Sequence, residues 1–412
     1  MKTVNTINGS FDISYQGQMM VAAGHASDDN LREEFVDTVE VNFIAFLSED
    51  KDIYIVQIDT LFIDDTLRVE IQNELLRNDI PIVFICVASH SHSLPGIDPG
   101  KPALGDYNKN YRDFLKQKIV ENITKCVKNK DQKQISFSNY KRYSHLSIGR
   151  RGSKSKNNFS LLRLRNTVPD FSRLGAYIEL TCFWDTHKTR ILAIIWTFPA
   201  PPVLYPEKNK FSADFPGRVR DLLRKELNDE FLTVLFFPGC AGDMRPLTKS
   251  QTKQKKVLDF IVGQSFVECD IDEYEEYCVS LKNELNKCIE FIKNEESNKL
   301  LTLIDYQESR IKLEKFGISN RSNKYLRVEL LRFNKDSKFI FLNCEPSYAY
   351  HDFFGEGCTV TGYSSGVFGY FPTDIQINQG GYEVSGFMPF FGTSGHYIRE
   401  VEKTLKVECT IN

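Results

Sequence analysis

Two of the seven histidines stand two residues apart in the segment Ser89-His90-Ser91-His92-Ser93. An apolar run, IPIVFICVA, leads into this segment, and Pro95-Gly96 ends it. Imidazoles placed at the mouth of a core strand suit metal ligation or proton transfer. A polar turn with satisfied histidines has the same composition, so the pair alone leaves both readings open.

Other groups with possible chemistry also sit where apolar runs break. Glu345 lies in NCEP, directly after FIFL. Asp243 lies in the turn AGDMRP, and Asp214 in FSADFPG ahead of a helical pattern; both could equally be caps or turn formers. Tyr370, in VFGYFPT, could be an ordinary aromatic core residue. Asp59 closes the run IYIVQID. Ligands of open α/β sheets bind beyond strand carboxyl ends, so turns of this kind could line one site.

The elements that must position these turns are legible from periodicity. VEVNFIAFLSED, DIYIVQIDTLFI and IPIVFICVASH read as strands, with the helical pattern LRVEIQNELLRN between the last two. YNKNYRDFLKQKIVENITKCVKN reads as a long amphipathic helix. AYIELTCFWD and TRILAIIWTF suggest a hairpin around His187, and FPGRVRDLLRKEL a helix with Pro216 in its first turn. FLTVLFF, LRVELLRF and KFIFLNCEP read as further strands. Strand–helix–strand order with apolar strands predicts an α/β fold, a mixed β-sheet core flanked by helices. A basic loop is expected over Gly149–Asn158, and a charged helical insertion around 249–299. The tail from Tyr363 onward, rich in Gly and aromatics, reads as loops converging on a site.

Composition narrows the function classes. The 412 residues are 41% hydrophobic and 26% charged with a formal net charge of −3, which gives no bulk electrostatic reason to bind nucleic acid. No run approaches the length of a membrane span, and the N-terminus has no apolar stretch of signal-peptide length. The ten cysteines are scattered without a CxxC motif, which predicts reduced thiols and a cytoplasmic location.

Taken in order, these turns resemble the catalytic domain of the neutral (non-lysosomal) ceramidase family. SHSHSLPG resembles the family's His-Thr-His-Ser-Gly-Pro stretch, IGRRG its Asn-Arg loop, and FSADFPG its Ser-Asp-Asn segment. GDMRP resembles its Gly-Asp-Val-Ser-Pro turn, NCEP its Gly-Glu turn, and YFPTDIQINQGGYE its Tyr-Ile-Thr…Tyr-Glu segment. The match spans roughly residues 10–405. The resemblance implies a single catalytic domain over 1–412, without the family's C-terminal immunoglobulin-like domain. It implies zinc ligands at His90, Glu345 and Tyr370, with His92 facing substrate or moving protons. It places Arg151, Ser212 and Asp214 near the substrate, and Asp243 in the turn that shapes the site.

Two positions depart from the family pattern. Ala200 in WTFPAPPV stands where the family has a second histidine ligand, and Arg245 stands where it has the nucleophilic serine. Alanine cannot ligate, and a guanidinium cannot attack a carbonyl; it favours an anionic group instead. The expected function is therefore a metal-dependent amidohydrolase of lipid metabolism, cleaving an amide or related acyl bond in a small or amphiphilic substrate with an anionic group. Asp59, Asp214 or water would fill the lost ligand position. The alternatives are a transferase or biosynthetic enzyme holding its anion with Arg245 and Arg151, or an inactive binding protein on the same scaffold.

Overall fold

A computed structural model describes residues 4–24, 31–47, 52–76, 82–128, 133–152, 169–252, 266, 268–295, 299–335 and 337–411. In chain order the main strands are β1 (Asn5–Asp12), β2 (Glu40–Leu47), β3 (Asp52–Ile58), β4 (Ile82–Ala88), β5 (Lys133–Gly149), β6 (Asp170–Asp185), β7 (Ile191–Thr197) and β8 (Thr233–Phe237). They line up as β8-β7-β6-β5-β1-β2-β3-β4. The pairs β3–β4 and β7–β8 are parallel and the other neighbours antiparallel, so the sheet is mixed, as expected.

Both parallel pairs are strand–helix–strand units. Helix α1 (Asp65–Leu76) links β3 to β4, and α3 (Asp214–Glu226) links β7 to β8. The antiparallel neighbours β6 and β7 form the expected hairpin around His187. The strand period of two sorts each strand's residues between two cores. In β2, Val41, Phe43 and Ala45 face one core and Ile44 and Phe46 the other. The first core is covered by α1 and by α2 (Lys109–Lys128), which present Leu67, Ile71 and Leu75, and Leu115, Ile119 and Ile123. These spacings of four put one apolar stripe on each helix. Burial on both faces explains why the strands read as unbroken apolar runs.

The opposite face packs against a second sheet of β9 (Ile304–Lys312), β10 (Tyr325–Phe333), β11 (Ser337–Leu342) and β12 (Cys358–Thr361), in that order. The segment expected as a charged helical insertion contains α4 (Ile271–Asn294). Its apolar residues, among them Tyr277, Leu281, Leu285 and Ile289, are buried with α3 against β6–β8, and its charges face outward. Residues 253–265, 267 and 296–298 of that segment, and 153–158 of the basic loop, lie outside the described residues. No described helix is long and apolar enough to cross a membrane. The described cysteines are all free thiols.

Among the described residues the two halves of the large sheet meet through two β1–β5 register pairs, Asn5–Gln134 and Thr6–Lys133. Side chains tie them elsewhere: Asn8 Nδ2 donates to Thr233 Oγ1 (2.9 Å), and Asn42 Oδ1 accepts from the Val234 amide (3.4 Å). Beneath this seam lies a buried ion network. Arg220 from α3 meets Asp59 (3.0 Å) and Glu40 (3.2 Å), and Arg224 meets Glu40 (2.6 Å). Asp59 also accepts from the Glu40 amide and from Gln57, so its carboxylate is committed to the scaffold.

Candidate functional site

β4 ends at Ala88, and the chain turns at once, with His90 at φ 67. Such a backbone is unusual for a non-glycine residue and needs surrounding contacts to hold it. The His90 amide donates to Thr60 O (2.8 Å), and the His92 amide to Pro202 O (3.1 Å). The side chain of His90 is fixed through Nδ1, 3.1 Å from Leu61 O, which leaves Nε2 facing the site. Its ring packs between Phe62 and Tyr363, at centroid distances of 4.9 and 4.5 Å.

The Nε2 atoms of His90 and His92 come within 3.3 Å of each other, and Glu345 Oε2 lies 3.8 Å from His90 Nε2. Burial pushes His90 down to about 3, with Arg150 adding to the effect, and pushes Glu345 up to about 7 against the pull of Arg150, Tyr370 and Tyr363. The His90–Glu345 contact is thus not a salt bridge at neutral pH, because the imidazole is uncharged. Glu345 pairs in parallel with Tyr370 through two short strands, Glu345–Pro346 and Tyr370–Phe371. Tyr370 is buried and its phenol is held well above the ordinary value, with Arg150 opposing.

The other turns are tied into the same place. Arg150 is buried; its Nε donates to Glu383 Oε1 (2.9 Å), and its guanidinium carbon lies 5.1 Å from the Tyr370 ring centre. Arg151 pairs with the other oxygen of Glu383 and donates to Gly380 O (2.7 Å). Asp243 accepts from Arg173 (2.7 Å), Gln376 (2.8 Å), Ser347 (3.1 Å) and the Tyr348 amide (2.7 Å). With its oxygens taken up this way, Asp243 positions loops. Its carbonyl also accepts from the Arg150 amide (2.9 Å). Five of the six motifs, all but FSADFPG, are therefore linked here, through different atoms and to different ends.

Ser212 and Asp214 are fully buried and engaged by protein. Ser212 donates to Asp37, and its carbonyl accepts from Ser91 Oγ (2.9 Å), bracing the histidine turn from behind. Asp214, at φ 57, accepts from the amides of Leu204, Tyr205 and Phe215. It thus holds the 199–205 loop to the start of α3, while no side-chain cap is made at Ala213. Ala200 is buried in the α3–α4 core, and Asp59 lies in the ion network, so neither supplies a ligand.

Three contributors are absent from the sequence reading. Tyr363 stacks on His90, and its hydroxyl donates to Glu345 Oε2 (3.3 Å). Arg150 was overshadowed by its neighbour in IGRRG. Gly24 passes so close to His92 that a Cβ would strike the ring, and its φ of +108 disfavours any side chain. No local pattern marks Tyr363 or Gly24, because each matters only through contacts distant in sequence. Gly24→Ala is expected to displace the His92 ring while the fold is kept, checked by the ring's NMR shifts and by melting.

Two zinc ligands at about 2.05 Å in tetrahedral geometry lie about 3.3 Å apart, the separation of the two Nε2 atoms. The Leu61 carbonyl on Nδ1 is the outer partner that metal-bound histidines usually have. The Glu345 oxygen is farther away, and among the described residues no group of three or more His, Cys, Asp or Glu is arranged to hold a metal. The chemistry of the donors fits zinc, provided that Glu345 closes by about half an ångström on binding.

No protein-family model and no curated protein matches the sequence. Among solved structures the chain is similar to a neutral ceramidase from Pseudomonas aeruginosa, with a TM-score of 0.69 and 11% identity over 93% of this chain and 71% of that one. It is similar also to a ceramidase complexed with C2, with a TM-score of 0.68 and 11% identity over 93% and 72% of the two chains. The fold is ceramidase-like. At this identity the likeness is one of architecture, and chemistry has to be argued from the site.

Proposed function

We propose that the protein is a zinc-dependent hydrolase of an amide or related acyl bond in a small or amphiphilic, lipid-like substrate. The observation that carries this reading is the approach of the His90 and His92 Nε2 atoms, 3.3 Å apart, beside a buried carboxylate. His90, Glu345 and Tyr370 are the ligands, and His92 supplies the second imidazole that Ala200 cannot. When bound, zinc supplies Lewis acidity toward an acyl carbonyl and toward water. The chain's own residues do the rest. Leu61 O and the rings of Phe62 and Tyr363 fix His90 in one orientation. His92, only partly buried, is the imidazole nearer to solvent and substrate. The Tyr363 hydroxyl steadies the Glu345 carboxylate, and Asp243 and Glu383 hold Arg150 beside Tyr370.

Zinc binding should be strongly pH-dependent. The Glu345 carboxyl, raised to about 7, must lose its proton to ligate, whereas His90 at about 3 is already neutral. The Tyr370 phenol, held well above its ordinary value, must lose its proton as well, so zinc affinity is expected to rise with pH throughout, and more steeply below about 7 than above it. Competition titration with a chelating dye between pH 5 and 8 checks this; a flat profile contradicts ligation by Glu345. The function itself is tested by assaying zinc-loaded protein for amine release from a panel of N-acyl compounds. Metal-free protein from zinc-supplemented expression, or no turnover of any amide by loaded protein, would sink the reading.

A further inference from the structure

The GDMRP turn runs antiparallel to the end of β5, with Met244 opposite Gly149 and Arg245 opposite Ile148. The Arg150 amide bond to Asp243 O continues that ladder by one step. Ile148 and Arg150 are two residues apart, so continuing this ladder past the bend at Arg150 sets Arg150 diagonal to Arg245. The electrostatics agree: Arg245 is pushed down to about 10 by burial and then by Arg150, with Tyr370 opposing, and stays cationic at neutral pH.

The two guanidiniums are poorly neutralised. Arg245 has no carboxylate partner among the described residues, and its contact is with the ring of Phe266, at 4.9 Å from the ring centre. Arg150 shares the single carboxylate of Glu383 with Arg151. Among the described residues Glu383 is the carboxylate ion-paired with Arg150 and Arg151, Glu345 acts on Arg150 from farther off, and Asp243 is paired with Arg173. Arg150 is also nine-tenths buried, and its Nη2 has no hydrogen-bond partner among the described residues. Burying an unmatched cation is costly unless a counter-charge arrives. Arg is suited to receive one, because its planar fork matches the oxygens of carboxylates and phosphates.

We propose that Arg150 and Arg245 form an oxyanion-recognising cradle that selects acyl amides whose amine portion carries a carboxylate or phosphate, as in an N-acyl amino acid. The identity of the reaction rests on the hydrolase reading; recognition of the anion does not. Arg245, at the serine position of the ceramidase-like turn, thus determines specificity. The cradle holds the amine side of the substrate while the histidine turn faces the scissile bond.

The test compares three substrates of one acyl chain length: an N-acylglycine, the neutral N-acylglycinamide, and an N-acyl-O-phosphoethanolamine. At least one anionic substrate is expected to exceed the glycinamide about tenfold or more in kcat/KM, with KM rising with salt. Arg245→Gln is expected to narrow that preference to within about twofold, and Arg245→Lys to retain part of it. Which anion is preferred separates carboxylate from phosphate. Equal kcat/KM for the neutral and anionic amides, or a preference surviving in Arg245→Gln, overturns the cradle and leaves the hydrolase reading standing. If none of the three is cleaved, calorimetric titration of N-acylglycine and N-acyl-O-phosphoethanolamine decides separately. Binding that is lost in a folded Arg245→Gln supports the cradle although the hydrolase reading has failed; no binding of either anion overturns it.

Discussion

His90→Ala is expected to abolish zinc binding and to lower amide hydrolysis by about 10²–10⁴-fold while leaving the protein folded. The ring is the best-oriented donor in the site: Nδ1 is held by Leu61 O, and Nε2 faces both His92 and Glu345. Its removal takes away one nitrogen of the pair set at tetrahedral separation and the platform on which Tyr363 stacks. Glu345→Gln is the companion test. The amide keeps the volume and can still accept from Tyr363, but it cannot supply the negative charge that a divalent ion needs. Metal content and amine release are measured together. Near-stoichiometric zinc in either variant, or turnover close to that of the parent, would rule out the assigned ligand set.

Arg220→Leu is expected to destabilise the protein by about 3–5 kcal/mol without touching the site. Arg220 is almost completely buried between Asp59 and Glu40, at 3.0 and 3.2 Å. Leucine fills part of the space but leaves Asp59 without its cation and Glu40 with Arg224 alone. The loss should shrink in acid. Glu40 is held below its ordinary value of 4.5 by Arg220 and Arg224, which outweigh burial. Its stabilisation is therefore present above the unfolded-state value and is lost as pH falls through the lower folded one. Urea unfolding at pH 7 and near pH 4 checks both size and sign. A change under 1 kcal/mol at pH 7 would mean that water or a shift of α3 compensates the missing charge.

Much of the architecture is legible because it is local. The runs VNFIAFL, DIYIVQI and PIVFICVA are apolar at both strand parities, which only a strand covered on both sides requires. The helix stripes in α1, α2 and α3 follow from spacing alone. β5 leaves little trace in the sequence although it is 17 residues long. Beyond Phe137 it reads YKRYSHLS, a largely polar stretch whose exposed positions leave no apolar period to find. β1, with NTINGSFD, is similarly polar, and its Asn8 serves the seam to β8 rather than a core.

The site was legible in part. His90, Glu345 and Tyr370 are marked by polar residues at abrupt strand ends and by their resemblance to a known order of motifs. Arg245 is marked by the mismatch it makes with that order. The reading that gave His90 and His92 separate tasks does not include the turn that draws their Nε2 atoms together, because a φ of 67 at His90 is imposed by contacts with Thr60, Leu61 and Tyr363. Asp243, Asp214 and Ser212 show the reverse. Their residue types suit chemistry, yet bonds to Arg173, Tyr205 and Asp37 turn them into braces.

The sequence by itself determined the α/β class, most strands and helices, and the chemical types gathered at the strand ends, since these depend on periodicity and side-chain identity. Only the tertiary structure decided which of those groups face one another and which are consumed by the scaffold. The role of a histidine, carboxylate or guanidinium depends on burial and on partners a hundred or more residues away. Arg150 and Arg245 become a pair only once the GDMRP turn is laid against the end of β5.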